Sequence, residues 1–160
     1  MERQISRISK DMYYLNIAQE CTKRGTCLRR NYGAVIVKND EIISTGYTGS
    51  PRGRINCIDH GKCLREELKI PSGERYEICR SVHAEMNACI HASRKDMIGA
   101  TIYLCGIVLS SGDIFKDTIP CELCKRVIIN SGIEKIVIRR DENNFDVYYS
   151  KDWGFEPDIK

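Results

Sequence analysis

His83-Ala84-Glu85-Met86-Asn87-Ala88-Cys89-Ile90-His91-Ala92-Ser93 holds no glycine or proline, and soon after it comes Ala100-Thr101-Ile102-Tyr103-Leu104-Cys105-Gly106-Ile107-Val108-Leu109. The first stretch reads as a helix, the second as a strand. The alternation then repeats. Residues 121–132, CELCKRVIINSG, are helix-like and close at Gly132, and residues 134–138, EKIVI, read as a strand. A further strand is expected at residues 145–149, FDVYY. Upstream, residues 32–47, YGAVIVKNDEIISTGY, set two apolar runs around Asn39-Asp40, a strand-turn-strand pattern. Before that, Ile5, Ile8, Met12, Leu15 and Ala18 recur at helical spacing. They predict a helix over residues 8–24, starting near Ser9 and stopping at Gly25. Strands interleaved with helices predict an α/β fold: a single mixed β-sheet flanked by helices.

The connections are as informative. Gly46, Gly49, Pro51 and Gly53 mark a tight loop after the strand-turn-strand unit. Residues 54–80 are irregular and hold Cys57, Cys63 and Cys79, with a short helix expected around CLREELKI. After the 100–109 strand, Ser-Ser-Gly turns the chain toward Asp113-Ile114-Phe115 as a hairpin. The 160 residues suit one domain over 1–160. With 42% hydrophobic and 29% charged residues, wholesale disorder is excluded. No apolar run approaches the roughly 18 residues of a membrane helix. The N-terminus, MERQISRISK, lacks the apolar core of a secretory signal, so the expected location is the cytoplasm. A net charge of +3 is too weak to imply nucleic acid as a partner.

Nine cysteines in a cytosolic chain point to metal sites plus a few buried thiols. Two segments stand out: His83-Ala84-Glu85, and Pro120-Cys121-Glu122-Leu123-Cys124. Each is weak alone, but H-x-E followed by P-C-x-x-C is the signature of zinc deaminases. One imidazole and two thiolates from His83, Cys121 and Cys124 make three ligands for tetrahedral zinc and leave the fourth position open, which marks a catalytic site. Glu85, two residues from His83, reaches a zinc-side water without ligating the metal and is the expected catalytic acid/base. Pro120 fits a helix opening, which sets Cys121 and Cys124 near its positive end, where thiolates are favoured. Such a constellation suits hydrolytic removal of an amino group from an amidine-like ring carbon.

Beyond these two segments, the chain resembles the zinc-dependent cytidine/deoxycytidylate deaminases over residues 8–140. The resemblance rests on Thr26-Cys27-Leu28-Arg29-Arg30, Gly33-Ala34-Val35-Ile36-Val37, Gly46-Tyr47-Thr48-Gly49-Ser50-Pro51, Cys57…Cys63-Leu64-Arg65-Glu66, the run from Cys79 to Ala88, Gly99-Ala100-Thr101-Ile102-Tyr103 and the Cys121/Cys124 helix. Within the family it is most similar to the deoxycytidylate (dCMP) deaminases. The resemblance implies a cytidine deaminase-like three-layer fold, a catalytic Zn2+, and conversion of dCMP to dUMP and ammonia. It also implies a homo-oligomer, a hexamer, activated by dCTP and inhibited by dTTP. Subunit contacts are expected around His91 and Arg94, at the end of the 83–94 helix. Candidate substrate contacts are Asn31, Thr48, Gly49, Pro51 and Ala84. Thr48 departs from the Asn usual in the family loop, which opens the question of sugar and base preference. Residues 105–119 are longer than usual, suited to a hairpin over the site or at a subunit contact.

Cys27, Cys57, Cys63 and Cys79 lie outside the catalytic signature and beside loops. An irregular stretch this long is costly to order, and a closed four-thiolate zinc site would tie it down. A second, structural Zn2+ is therefore expected there, with His60 able to replace one thiol in C-x-x-H-x-x-C. Buried free thiols are the alternative, and Cys21, Cys89 and Cys105 are read that way. Two other functions stay open. A tRNA adenosine deaminase shares the zinc and the Glu, as does a deaminase of another cytosine nucleotide, but the long cysteine-rich insert before His83 favours a mononucleotide. Arg52 and Arg54 suit either a phosphate or a solvated loop. A zinc-stabilised binding module without catalysis has no need of Glu85.

Overall fold

In a computed structural model, residues 5–154 are described; residues 1–4 and 155–160 of the expected 1–160 domain lie outside them. The helices are α1 (Lys10–Thr22), α2 (Cys57–His60), α3 (Leu64–Glu67), α4 (Ala84–Ile90), α5 (Arg94–Met97) and α6 (Glu122–Ser131). The strands are β1 (Arg30–Lys38), β2 (Glu41–Tyr47), β3 (Thr101–Val108), β4 (Lys135–Arg139) and β5 (Phe145–Tyr149).

Asn39 and Asp40 both adopt left-handed backbone, with φ of 51° and 62°. That pair matches the twist of a tight hairpin, and it joins β1 to β2. β1 also pairs antiparallel with β3, β3 pairs parallel with β4, and β4 antiparallel with β5. The order β2-β1-β3-β4-β5 is the mixed sheet expected from the sequence. Its one parallel pair needs a crossover, which α6 supplies.

Strand alternation sorts the core into two layers. Ala34, Ile36, Ile102, Leu104, Ile136 and Ile138 face α4, α5 and α6, whose Ala84, Ala88, Cys89, Met97 and Ile128 fill that side. Val35, Val37, Tyr103, Cys105 and Val137 face α1, which contributes Tyr14, Leu15 and Ala18. The result is helix, sheet, helix. Gly46 brings α4 against β2: a Cβ there would collide with the Ala84 carbonyl and the Ala88 nitrogen. Ser44 Oγ donates to Ala88 O at 2.7 Å and Asn87 Nδ2 to Tyr47 O at 2.8 Å, completing that seam.

Three expectations need correction. The first helix starts at Lys10, because Ser9 Oγ accepts from Met12 N at 3.2 Å and caps it. Ile5 and Ile8 precede it and are exposed. The 83–94 helix is two helices. α4 stops at Ile90, and Ser93 caps α5 by accepting from Asp96 N, so His91 and Arg94 do not share one helix. Finally, Cys121 is the N-cap of α6 rather than part of its first turn. The hairpin after β3 does form: Phe115 N donates to Gly106 O at 2.8 Å and Val108 N to Asp113 O at 2.9 Å. Among the described residues no helix is long and apolar enough to cross a membrane.

Candidate active site

His83 and Cys121 are the N-caps of α4 and α6, two helices packed on the same face of the sheet. Backbone bonds fix the approach to His83: Val82 N donates to Gly49 O at 2.7 Å and Gly49 N to Val82 O at 3.2 Å. Cys121 Sγ accepts from Cys124 N at 3.4 Å, so the thiol itself caps the helix. This turn places Cys124 beside Cys121. His83 Nδ1 then lies 3.4 Å from Cys121 Sγ and 3.3 Å from Cys124 Sγ. Ligands on one tetrahedral zinc, at bond lengths near 2.3 Å to sulfur and 2.0 Å to nitrogen, sit about 3.6 Å apart. The three donor atoms therefore fit a zinc ion in separation and in chemistry, and these residues can hold a metal.

The protonation of the cluster follows from this crowding. The Cys121 thiol is drawn down to about 4, first by a hydrogen bond from Cys124 and further by His83. His83 is pushed up to about 10 by hydrogen bonds to Cys121 and then Cys79. Cys124 holds its proton, because it donates to Cys121 and is buried. A cation displaces such protons and takes their place. Glu85 is 5% exposed, and burial raises its carboxyl above the usual range, while the His83 charge opposes that. Its carboxyl also hydrogen-bonds the Cys124 thiol.

His83, Glu85 and Cys121 border a pocket of about 120 Å³. Thr48 lines it too. Its hydroxyl accepts from Tyr32 N at 3.1 Å. Asn31, Gly49, Pro51 and Ala84 do not line the pocket. Asn31 is buried, and its Oδ1 accepts from Cys27 N at 2.9 Å. Pro51 is exposed on its loop, and Ala84 is buried in the core. Arg30, Arg65, Tyr76, Ser81 and Ile119 line the pocket but were not among the candidate substrate contacts expected from the sequence. Four of them come from loops, the single turn of α3 or the 3-10 turn Tyr76–Ile78, where no periodicity signals which way a side chain faces.

A second cavity of about 20 Å³ is lined by Cys27, Cys57, Cys63 and Cys79 together. This is room for about one water-sized species. Their sulfurs converge less tightly than the His83 group, the one cluster among the described residues with donor atoms all within 4.8 Å. Cys79 lines both cavities and hydrogen-bonds His83. His60 is exposed and does not line the cavity. Cys89 and Cys105 are buried free thiols and Cys21 is half-buried.

A family model described as the cytidine and deoxycytidylate deaminase zinc-binding region matches residues 8–140. The chain belongs to this family. Among curated relatives, the deoxycytidylate deaminase of Schizosaccharomyces pombe is 34% identical over 137 residues, which cover 86% of this chain and 39% of that protein. The deoxycytidylate deaminase of Mycobacterium phage D29 is 34% identical over 142 residues, covering 86% of this chain and 99% of that one. The chain thus spans well under half of the yeast relative and nearly all of the phage relative. In structure, the dCMP deaminase of cyanophage S-TIM5 aligns with a TM-score of 0.59 at 22% identity, covering 86% of this chain and 88% of that one. The likeness establishes the deaminase fold for the three-layer arrangement, with both signature segments of the family on the helix N-termini that face the pocket.

Proposed function

We propose that the protein is a zinc-dependent hydrolase that converts dCMP and water to dUMP and ammonia. One observation carries this reading: a buried Glu85 beside a His83/Cys121/Cys124 donor set of zinc dimensions, at the wall of an open pocket. Similarity to deoxycytidylate deaminases supports the choice of base and sugar. His83, Cys121 and Cys124 hold the metal. When bound, zinc supplies Lewis acidity that makes water nucleophilic at neutral pH. Glu85 would accept the first water proton and deliver it to the ring nitrogen next to the reacting carbon; it would then take the second proton, from the hydroxyl added at that carbon, and pass it to the departing amine. Its raised proton affinity suits both halves of that task, since the group must release the proton it has taken. Thr48 borders the nucleotide, with Gly49, Asn31 and Ala84 supporting the wall behind it and Pro51 on the exposed loop beyond.

The same reading includes a second, structural zinc at Cys27, Cys57, Cys63 and Cys79, supported by their shared ion-sized cavity. It includes a homo-oligomer, a hexamer, activated by dCTP and inhibited by dTTP. Exposed Ile90 and Ile98 beside the His91–Arg94 turn support a subunit contact there. Nine cysteines without a disulfide support the cytoplasm as its location. Ammonia release measured side by side on dCMP, CMP, dCTP, deoxycytidine and tRNA tests the substrate. dCMP is expected to be best, and a robust preference for deoxycytidine or tRNA would overturn the reading.

A further inference from the structure

Arg65 is 6% exposed, yet among the described residues no carboxylate pairs with it. Its Nη2 donates to the carbonyls of Pro71 at 2.9 Å and Glu74 at 2.7 Å, and its Nε has no partner. A buried guanidinium without a counter-charge is costly to fold around. Arg30, on the same pocket, also pairs with no carboxylate among the described residues; its guanidinium lies over the Phe115 ring, 3.9 Å from the centroid. The neighbouring Arg29 differs, because Glu66 neutralises it at 3.0 Å. The pocket therefore carries two uncompensated guanidinium groups, while its one lining carboxylate, Glu85, stands at the metal ligands.

The spacing is within the reach of a nucleotide. Arg65 lies 4.6 Å from the centre of the Tyr76 ring, and Tyr76 meets the His83 ring edge-on at 5.3 Å. Together these separations put the guanidinium carbon within about 10 Å of the His83 ring. With the base held at His83 and Glu85, the 5′ end of a mononucleotide reaches that far. We propose that Arg65 and Arg30 form the seat for the substrate's 5′-phosphate and so select a nucleoside monophosphate over the free nucleoside. This assignment rests on the dCMP reading above. Arg65 has a second task, since its two carbonyl bonds close the Pro71–Glu74 turn over the pocket. Arg30 has no such bonds to the backbone, and it is the cleaner probe.

Steady-state kinetics on dCMP and deoxycytidine test it, using wild type, Arg30→Met, Arg65→Lys and Arg65→Met, with thermal melts for each. The expected result is a rise of about 10-fold or more in KM for dCMP in Arg30→Met, with kcat changed little, as loss of a charge-assisted contact predicts. The ratio of kcat/KM between dCMP and deoxycytidine should fall by the same factor. Arg65→Lys keeps the charge without the planar fork and should fall between wild type and Arg65→Met. If Arg65→Met fails to fold, Arg30→Met and Arg65→Lys decide. An unchanged KM for dCMP in both, with wild type preferring dCMP, overturns the phosphate seat alone. A wild type that prefers deoxycytidine overturns the substrate reading and the seat with it.

Discussion

Glu85 and Thr48 show how much chemistry a single position carries here. Glu85 is buried beside three atoms that can share a cation, so its charge state and the metal's are bound together. It does not belong to that donor set. Glu85→Ala should therefore lower kcat by about 10² to 10⁴, the usual loss on removing a general acid/base. Zinc should stay bound, as metal analysis of the purified variant would read. Loss of the metal, or near-normal turnover, would mean the role lies elsewhere. Thr48 has one acceptor site occupied by Tyr32 N, which leaves its hydroxyl hydrogen to offer the pocket. An asparagine would offer both a donor and an acceptor. Thr48→Asn should keep the enzyme active and shift the dCMP-to-CMP preference, measured as a ratio of kcat/KM. Complete inactivity would show that the loop is organised around Thr48 itself.

At the scale of elements, the seam between α4 and β2 controls the site, because α4 starts at His83 and carries Glu85. Gly46 is the point of closest approach. Gly46→Ala should destabilise the fold by about 1–3 kcal/mol, the cost of overpacking, and lower turnover by displacing Glu85. Thermal denaturation and kinetics check both, and a variant as stable and active as the parent would count against the seam. The sheet and its helices were largely readable in the sequence for a local reason. β1, β3 and β4 are buried on both faces and so appear as apolar runs, and Gly132 and Ser9 punctuate the helix ends. The cluster that can hold a metal was readable because two short segments carry all three of its residues. What was not readable depends on competition or on distance. Ile5 and Ile8 continue the helical spacing, but the Ser9 cap outweighs it. The break after Ile90 contains no glycine or proline, and only the Ser93 cap reveals it. Arg65, Tyr76 and Ile119 reach the pocket from segments whose courses are set by tertiary packing, so no spacing rule points to them.

For the whole molecule, the irregular stretch before His83 is the part least supported by the apolar core. α2 and α3 are each four residues long, and around them Ile55, Ile58 and Leu68 are exposed. Its link to the body includes Ile58 N donating to Thr26 O at 3.2 Å, beside the cavity where Cys27, Cys57, Cys63 and Cys79 meet. A zinc ion there would join the loop after α1, the α2–α3 stretch and the entry to α4 into one unit, coupling metal content to stability. The catalytic zinc would tie α4 to α6 in the same way. Chelation should therefore abolish activity and lower Tm together. The two sites separate by mutation. The parent should contain about two zincs per chain, and Cys57→Ser one. Each 1 kcal/mol lost shifts Tm by roughly 2–4 °C in a chain of this size, so loss of the structural ion should lower Tm by several degrees. The His83 site, with its own ligands, should keep its zinc in that variant. One zinc per parent chain, with Cys57→Ser melting where the parent does, would leave the four cysteines as ordinary buried thiols.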